Sequence, residues 1–232
     1  MPNFFPRWTN LLPLKLAVCL VLIGGGVVLA VSYYWTPRYS RVGYQPQQPI
    51  PYDHSLHVGQ LGMDCRYCHT HVDESSHSNI PSAQTCWNCH QHVKTNSTKL
   101  EPLRRAVDES YENYDGKPIE WKRIHKVPDY AHFNHAAHVN RGVSCVSCHG
   151  KVNEMEVVWH EEPLTMGWCL DCHREPEKHL RPLEAIYDLD WKPENANIVV
   201  DGKKLETQRE IGLHLKEHWN IVPPESCGAC HY

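Results

Sequence analysis

The sequence predicts a mostly irregular chain with short α-helices behind one N-terminal transmembrane helix, and three observations carry that prediction. One apolar run near the N-terminus is long enough to cross a bilayer, whereas the mean hydropathy of the whole chain, −0.54, excludes a polytopic membrane protein. The 232 residues include 11 Cys, 18 His and 8 Trp against only 3 Phe, so ligand-type side chains have displaced ordinary core-building ones. With 41% hydrophobic content the chain is folded rather than disordered, but an interior filled by ligand chemistry has little need of regular layers, and few or no strands are expected. Lys plus Arg number 23 against 27 Asp plus Glu, a formal net charge of −4, and nucleic acid, which demands a basic face, is excluded as a partner.

The first element is the run LLPLKLAVCLVLIGGGVVLAVSYYW, residues 11–35, broken only by Lys15. Its length spans a bilayer, and Tyr33, Tyr34 and Trp35 suit the interfacial belt. Arg7 and Lys15 precede the apolar stretch, so the positive-inside rule leaves the N-terminus in the cytoplasm and everything after about residue 36 outside. A removable signal peptide is the rival, since Ala30, Val31 and Ser32 loosely fit a cleavage site, but the uninterrupted run 16–31 is long for such a core. Residues 1–35 are therefore read as an uncleaved anchor in the lipid bilayer. Gly24, Gly25 and Gly26 leave one helix face nearly bare, which permits close approach of another transmembrane helix or is simply a flexible patch. Cys19 reads as a small apolar residue of that helix.

Residues 36–52, TPRYSRVGYQPQQPIPY, contain Pro37, Pro46, Pro49 and Pro51 and read as an extended linker laid over a surface. Residues 53–232 form the remaining domain. Ten of its cysteines fall in five C-x-x-C pairs, Cys65/Cys68, Cys86/Cys89, Cys145/Cys148, Cys169/Cys172 and Cys227/Cys230, and a histidine follows each at once: CRYCH, CWNCH, CVSCH, CLDCH and CGACH. This is the attachment signature of c-type haem. Two thiols three positions apart each reach one porphyrin vinyl group, and the adjacent His69, His90, His149, His173 or His231 reaches the iron as proximal ligand. Zinc ribbons, redox dithiols and structural disulfides also use paired cysteines, but none of them requires the histidine. Five c-type haems are the cofactors the sequence predicts, each motif on a short helix.

The motifs repeat in a larger unit. HSLHVGQLGMDCRYCH at 54–69 matches HAAHVNRGVSCVSCH at 135–149, both H-x-x-H-V followed by C-x-x-C-H, which defines two-haem modules at about 54–93 and 132–180 with a fifth haem at 227–231. Thirteen histidines remain after the proximal five. His54 and His57, like His135 and His138, sit three apart on one side of a helical turn and are predicted as distal iron ligands. His125 is the choice for a fifth distal ligand, with Met155, Met166, His214 and His218 as alternatives. Ile211, His214, Leu215 and His218 follow one helix face in residues 206–219, which either covers the last haem or is an ordinary packing face. His71, His77, His92, His132, His160 and His179 carry no assignment. The haemless stretches, about 94–131 and 181–226, read as too polar to form a second core and as segments that wrap the haems or dock on partners.

The runs YWTPRYSRVGYQPQQPIPYDHSLHVGQLGMDCRYCHT, TCWNCHQHV and WKRIHKVPDYAHFNHAAHVNRGVSCVSCHGKVNEMEVVWHEEPLTMGWCLDCHREPE resemble the membrane-anchored pentahaem cytochrome c subunit of bacterial alternative complex III, a quinol-oxidising assembly. The resemblance covers about residues 34–182 plus the final CGACH. It implies class III-like multihaem folding, membrane-embedded quinol-binding subunits, an iron-sulfur subunit, and a downstream cytochrome c or other electron acceptor as partners. It also implies an electron-carrier subunit without catalytic residues of its own, anchored by one span in the bacterial inner membrane with its haem domain in the periplasm. Two other readings stay open: a membrane-anchored quinol dehydrogenase feeding a soluble reductase, and a multihaem reductase in which one iron keeps an open position.

Overall fold

A computed structural model of the chain describes residues 6–35 and 40–232 and divides into two units, Met1–Val42 and Gly43–Tyr232. Residues 1–5 of the predicted anchor and residues 36–39 of the linker, Pro37 among them, lie outside the described residues. In the first unit a 3-10 turn, Arg7–Leu11, leads into α1, Leu12–Tyr34. Pro13 occupies the first turn of α1, where its missing N–H has no intrahelical partner to lose. The 23 residues of α1 reach about 35 Å at ~1.5 Å per residue, against a hydrocarbon core of ~30 Å. None of them is buried, and an 18-residue window within Trp8–Tyr34 has a mean hydropathy of 2.5. This helix is long and apolar enough to cross a membrane, and its uncovered surface calls for lipid or another apolar helix rather than water.

The second unit is mostly irregular. Its α-helices are short: α2 (Cys65–Cys68), α3 (Ala83–His90), α4 (Glu101–Val107), α5 (His135–Val139), α6 (Val146–His149), α7 (Met166–Arg174) and α8 (Gln208–His218). Four of them carry an attachment motif. The expectation of few strands holds: the described residues contain one two-stranded antiparallel ribbon, β1 (Val199–Val200) with β2 (Lys203–Lys204). Its turn is Asp201-Gly202, both at positive φ (+51° and +79°), the conformation a two-residue hairpin needs and that glycine adopts without strain. Residues 43–52 run along this unit: Gln45 Nε2 donates to the Val157 carbonyl at 2.7 Å, and Gln48 exchanges two 2.9 Å bonds with the Lys122 backbone.

The expectation that residues 181–226 are too polar for a core is overturned. The larger buried cluster is Leu180, Ala196, Leu205, Ile211 and Leu215, with Trp191, Trp219 and Ile221 packed against it. Helix α8 supplies its centre. Thr207 caps α8 in a reciprocal capping box with Glu210, and Ile211 and Leu215 point inward, so this face packs as an ordinary amphipathic helix. The local polarity misleads because the cluster draws one apolar residue at a time from several turns rather than a continuous run. Helix α8 lies hard against the 3-10 turn Pro176–Lys178 that follows α7: a Cβ added at Gly212 would stand 1.9 Å from the Glu177 carbonyl oxygen. Lys216 closes the contact with a 3.0 Å ion pair to Glu177, and Gln208 Nε2 donates to the carbonyls of Glu177 (3.3 Å) and Leu180 (2.7 Å). A smaller cluster of Val72, Val139 and Ile186 joins the segments after the first motif and before the third.

Candidate functional site

Local hydrogen bonds shape the attachment motifs. Asp64 caps α2 by accepting the Arg66 amide at 2.8 Å, and Thr165 caps α7 by accepting the Trp168 amide. Within the first, third and fifth motifs the histidine amide donates to the carbonyl of the first cysteine, His69 to Cys65 at 2.8 Å, His149 to Cys145 at 2.9 Å and His231 to Cys227 at 2.9 Å. That helical turn puts both thiols on one side and the imidazole beside them. None of the 11 cysteines is in a disulfide, and burial pushes the Cys145 and Cys148 thiols up to about 11 and about 12. Among the described residues no group of three or more His, Cys, Asp or Glu is arranged to hold a metal ion unaided.

The histidines are arranged in facing pairs. His57 of the first H-x-x-H stands 6.3 Å, ring centre to ring centre, from His90 of the second motif. His135 lies parallel to His149 of the third motif at 6.5 Å with an 8° interplanar angle, and His138 faces His173 of the fourth motif at 6.1 Å. An iron held between two imidazole nitrogens, each about 2.0 Å away, sets the ring centres roughly 6.3 Å apart. Three predicted distal residues thus stand at iron-spanning distance from three predicted proximal ones. His54, the fourth, is partly buried, and its Nδ1 is enclosed without a hydrogen-bond partner.

Hydrogen bonds orient these rings. Nδ1 of His57, His69, His90, His135, His138, His173 and His231 each meets a backbone carbonyl at 2.7–3.0 Å. A carbonyl accepts only, so the proton sits on Nδ1 and Nε2 keeps the lone pair that a metal needs. Burial holds His54 down to about 4, with His69 and His57 adding to it, and burial with the neighbouring His125 and His135 holds His149 down to about 3. Neutral imidazole is the ligating form. The arrangement fits c-type haem: paired thiols, an imidazole beside them and, at three of the motifs, a second imidazole at the far side of an iron-sized gap.

The structure places the remaining predicted residues as follows. His125 sits with its ring centre 4.2 Å from His149, edge to face, and stacks on His160 at 5.1 Å. That spacing is too short to admit an iron between His125 and His149, and His125 makes no ring contact with His231. Met155 is fully buried with its carbonyl accepting the Ser55 amide, whereas Met166 is exposed at the start of α7. His214 and His218 stack on each other at 5.6 Å along α8. The ring contact of His231 is with Tyr130, at 5.8 Å. His132 carries no role in the sequence motifs, yet its amide donates to the Cys230 carbonyl and its ring stacks on Tyr232 at 4.3 Å, beside the fifth motif.

The two modules are tied together through the second H-x-x-H. The His135 amide and Nδ1 both donate to the Ser76 carbonyl in the loop after the first motif, and Asn140 Nδ2 donates to the Asp73 carbonyl at 2.8 Å. The fourth motif is joined to the fifth by the bond from His173 to the Pro224 carbonyl and the 3.2 Å pair Arg174–Glu225.

No family model matches the chain. Over 124 residues it is 32% identical to the menaquinone reductase, multiheme cytochrome c subunit, of Nitratidesulfovibrio vulgaris, a similarity covering 53% of this chain and 56% of that protein. The chain thus spans little more than half the length of the curated relative it matches.

Proposed function

We propose that this chain is a membrane-anchored multihaem cytochrome c that carries five c-type haems and passes electrons within a membrane quinone-linked complex. The observation that carries this reading is the set of imidazole pairs at 6.1–6.5 Å, each joining a histidine of an attachment motif to one upstream of a motif. The similarity to a multihaem cytochrome subunit of a menaquinone reductase supports both the cofactor class and the quinone link. In this reading Cys65, Cys68, Cys86, Cys89, Cys145, Cys148, Cys169, Cys172, Cys227 and Cys230 form thioethers. His69, His90, His149, His173 and His231 are proximal, and His54, His57, His135 and His138 are distal. Bound haem supplies one-electron chemistry. The protein's own part is to set a second imidazole opposite three of the motif histidines and to orient rings of those pairs by Nδ1 bonds to backbone carbonyls.

Helix α1 anchors the chain with its N-terminus cytoplasmic and the second unit outside, where membrane-embedded quinone-binding subunits, an iron-sulfur subunit and a soluble electron acceptor are the partners proposed. The resemblance to alternative complex III favours electrons leaving quinol, whereas the relative's description as a menaquinone reductase favours electrons reaching the quinone, a second reading with the same wiring in reverse. Purification from native membrane in mild detergent, followed by identification of the co-purifying subunits and assay with quinol and with quinone, separates the two.

The test of the site itself is His57→Ala. The wild-type protein should carry ten thioether bonds by mass and be wholly low-spin at the haems of the facing pairs. The variant should keep all ten thioethers, because attachment uses the C-x-x-C-H residues alone, and convert one haem to a high-spin form that binds carbon monoxide. A wild-type mass without haem, or a His57→Ala protein with no new carbon monoxide binding, refutes the assignment.

A further inference from the structure

The two H-x-x-H turns share more than their histidines. Two residues before the first histidine stands an aromatic, Tyr52 in one copy and Phe133 in the other. Tyr52 meets His54 edge-on at 4.7 Å (82°) and stacks on His57 at 4.5 Å (21°). Phe133 meets His135 edge-on at 4.8 Å (88°) and lies over His138 at 4.4 Å (30°). The two ring sets superpose contact for contact, at the same sequence offset of 81 that separates the histidine pairs.

The polar scaffold repeats as well. Asp53 and Asn134, the residues between aromatic and histidine, cap their turns by accepting the amides of Leu56 (3.0 Å) and Ala137 (3.2 Å). Their carbonyls accept Nδ1 of the second histidine, His57 at 2.8 Å and His138 at 2.7 Å. The repeated unit is therefore aromatic-Asp/Asn-His-x-x-His-Val, YDHSLHV and FNHAAHV. A hydrogen bond at Nδ1 leaves an imidazole free to swing about that bond, and an aromatic face against the ring removes the remaining freedom.

We infer that Tyr52 and Phe133 are positioning residues that fix the ring planes of the two histidine pairs, an inference that rests on the haem-ligating reading of those pairs. The phenol oxygen is not needed for this, since Phe133 does the same work without one. The aromatic ring is the requirement, because only a flat face can lie against one imidazole and accept the edge of another.

The experiment compares Tyr52→Leu, Phe133→Leu, Tyr52→Phe and Phe133→Tyr in the full-length haem-loaded protein. Mass spectrometry of the wild type tests the haem reading independently of the clamp. Low-spin ferric haem gives electron paramagnetic resonance signals whose g values respond to the relative orientation of the two axial imidazole planes. Tyr52→Leu should shift the signals of the two haems ligated by His54 and His57 and add partial carbon monoxide binding there. Phe133→Leu should shift a different set, those ligated by His135 and His138. Both aromatic exchanges should reproduce the wild-type spectrum. If one leucine variant does not mature, the other provides the same comparison at its own copy. If neither does while both exchanges mature normally, the aromatic requirement is upheld. Leucine variants that carry five haems with unchanged spectra overturn the proposal, as do exchanges that behave like the leucine variants.

Discussion

Replacing Gly212 with Ala tests how tightly α8 is seated on the segment that follows the fourth attachment motif. The added methyl would meet the Glu177 carbonyl oxygen at 1.9 Å, its carbonyl carbon at 2.6 Å and its Cα at 2.8 Å, against an ordinary contact of 3.4 Å or more. All three are backbone atoms, so no side chain can rotate away, and either α8 or the turn Pro176–Lys178 must yield by about 1.5 Å. A move of that size strains the Gln208 bonds to Glu177 and Leu180 and the Lys216–Glu177 pair. Overpacking costs about 1–3 kcal/mol and each lost hydrogen bond about 1 kcal/mol, while Ala in place of Gly in a helix returns only ~1 kcal/mol. The net loss is about 2 kcal/mol, which in a unit of this size lowers Tm by roughly 4–8 °C. Thermal unfolding of the haem-loaded protein followed by far-ultraviolet circular dichroism, with haem attachment verified by mass, provides the measurement. A Tm equal to or above that of the wild type would refute the reasoning, because it would mean that the helix gains its propensity while the contact relaxes without cost.

The Lys216–Glu177 pair should leave a signature in acid. Glu177 is held below the ordinary carboxylate range by its own backbone amide and by Lys216, against burial, so its stabilisation is complete above the usual glutamate range and is lost as the pH falls through the lowered native value. Lys216→Met should lower the denaturation midpoint at pH 7 and lose less than the wild type between pH 5 and pH 3; an acid loss equal to that of the wild type would show that Lys216 does not hold Glu177 down. Replacing residues 1–35 with a cleavable export signal should move the haem-bearing remainder from the membrane to the soluble fraction, and persistence in the membrane would show that the second unit has a hold of its own.

The attachment motifs and the H-x-x-H repeat were legible in the sequence because both are local: a cysteine, its partner three positions on and the next histidine are placed by a single helical turn. The apolar helix was legible from length alone. The core of residues 181–226 was not, since Leu180, Ala196, Leu205, Ile211 and Leu215 are scattered among charged residues and meet only when α8 folds back on the turn at Glu177. The packing of His125 beside His149 and His160 was equally hidden, because nothing in WKRIHKVPDY states which motif it will lie against. The aromatic clamp is legible too: extending the alignment of the two histidine repeats by two residues brings Tyr52 onto Phe133.

The carbonyls that accept Nδ1 bonds differ in how much chain must exist before they are available. His57 and His138 find theirs four residues back, His90 three ahead and His69 ten ahead. His135 depends on Ser76, His173 on Pro224 and His231 on Tyr130, separations of 59, 51 and 101 residues. During synthesis, then, the first module can settle its own imidazoles as soon as it emerges, and it presents the Ser76 carbonyl to a second module not yet made. The fourth motif has no such independence. Its imidazole stays untethered until the chain has reached Pro224, so ending the chain before that residue would remove the fifth motif and also the support of the fourth.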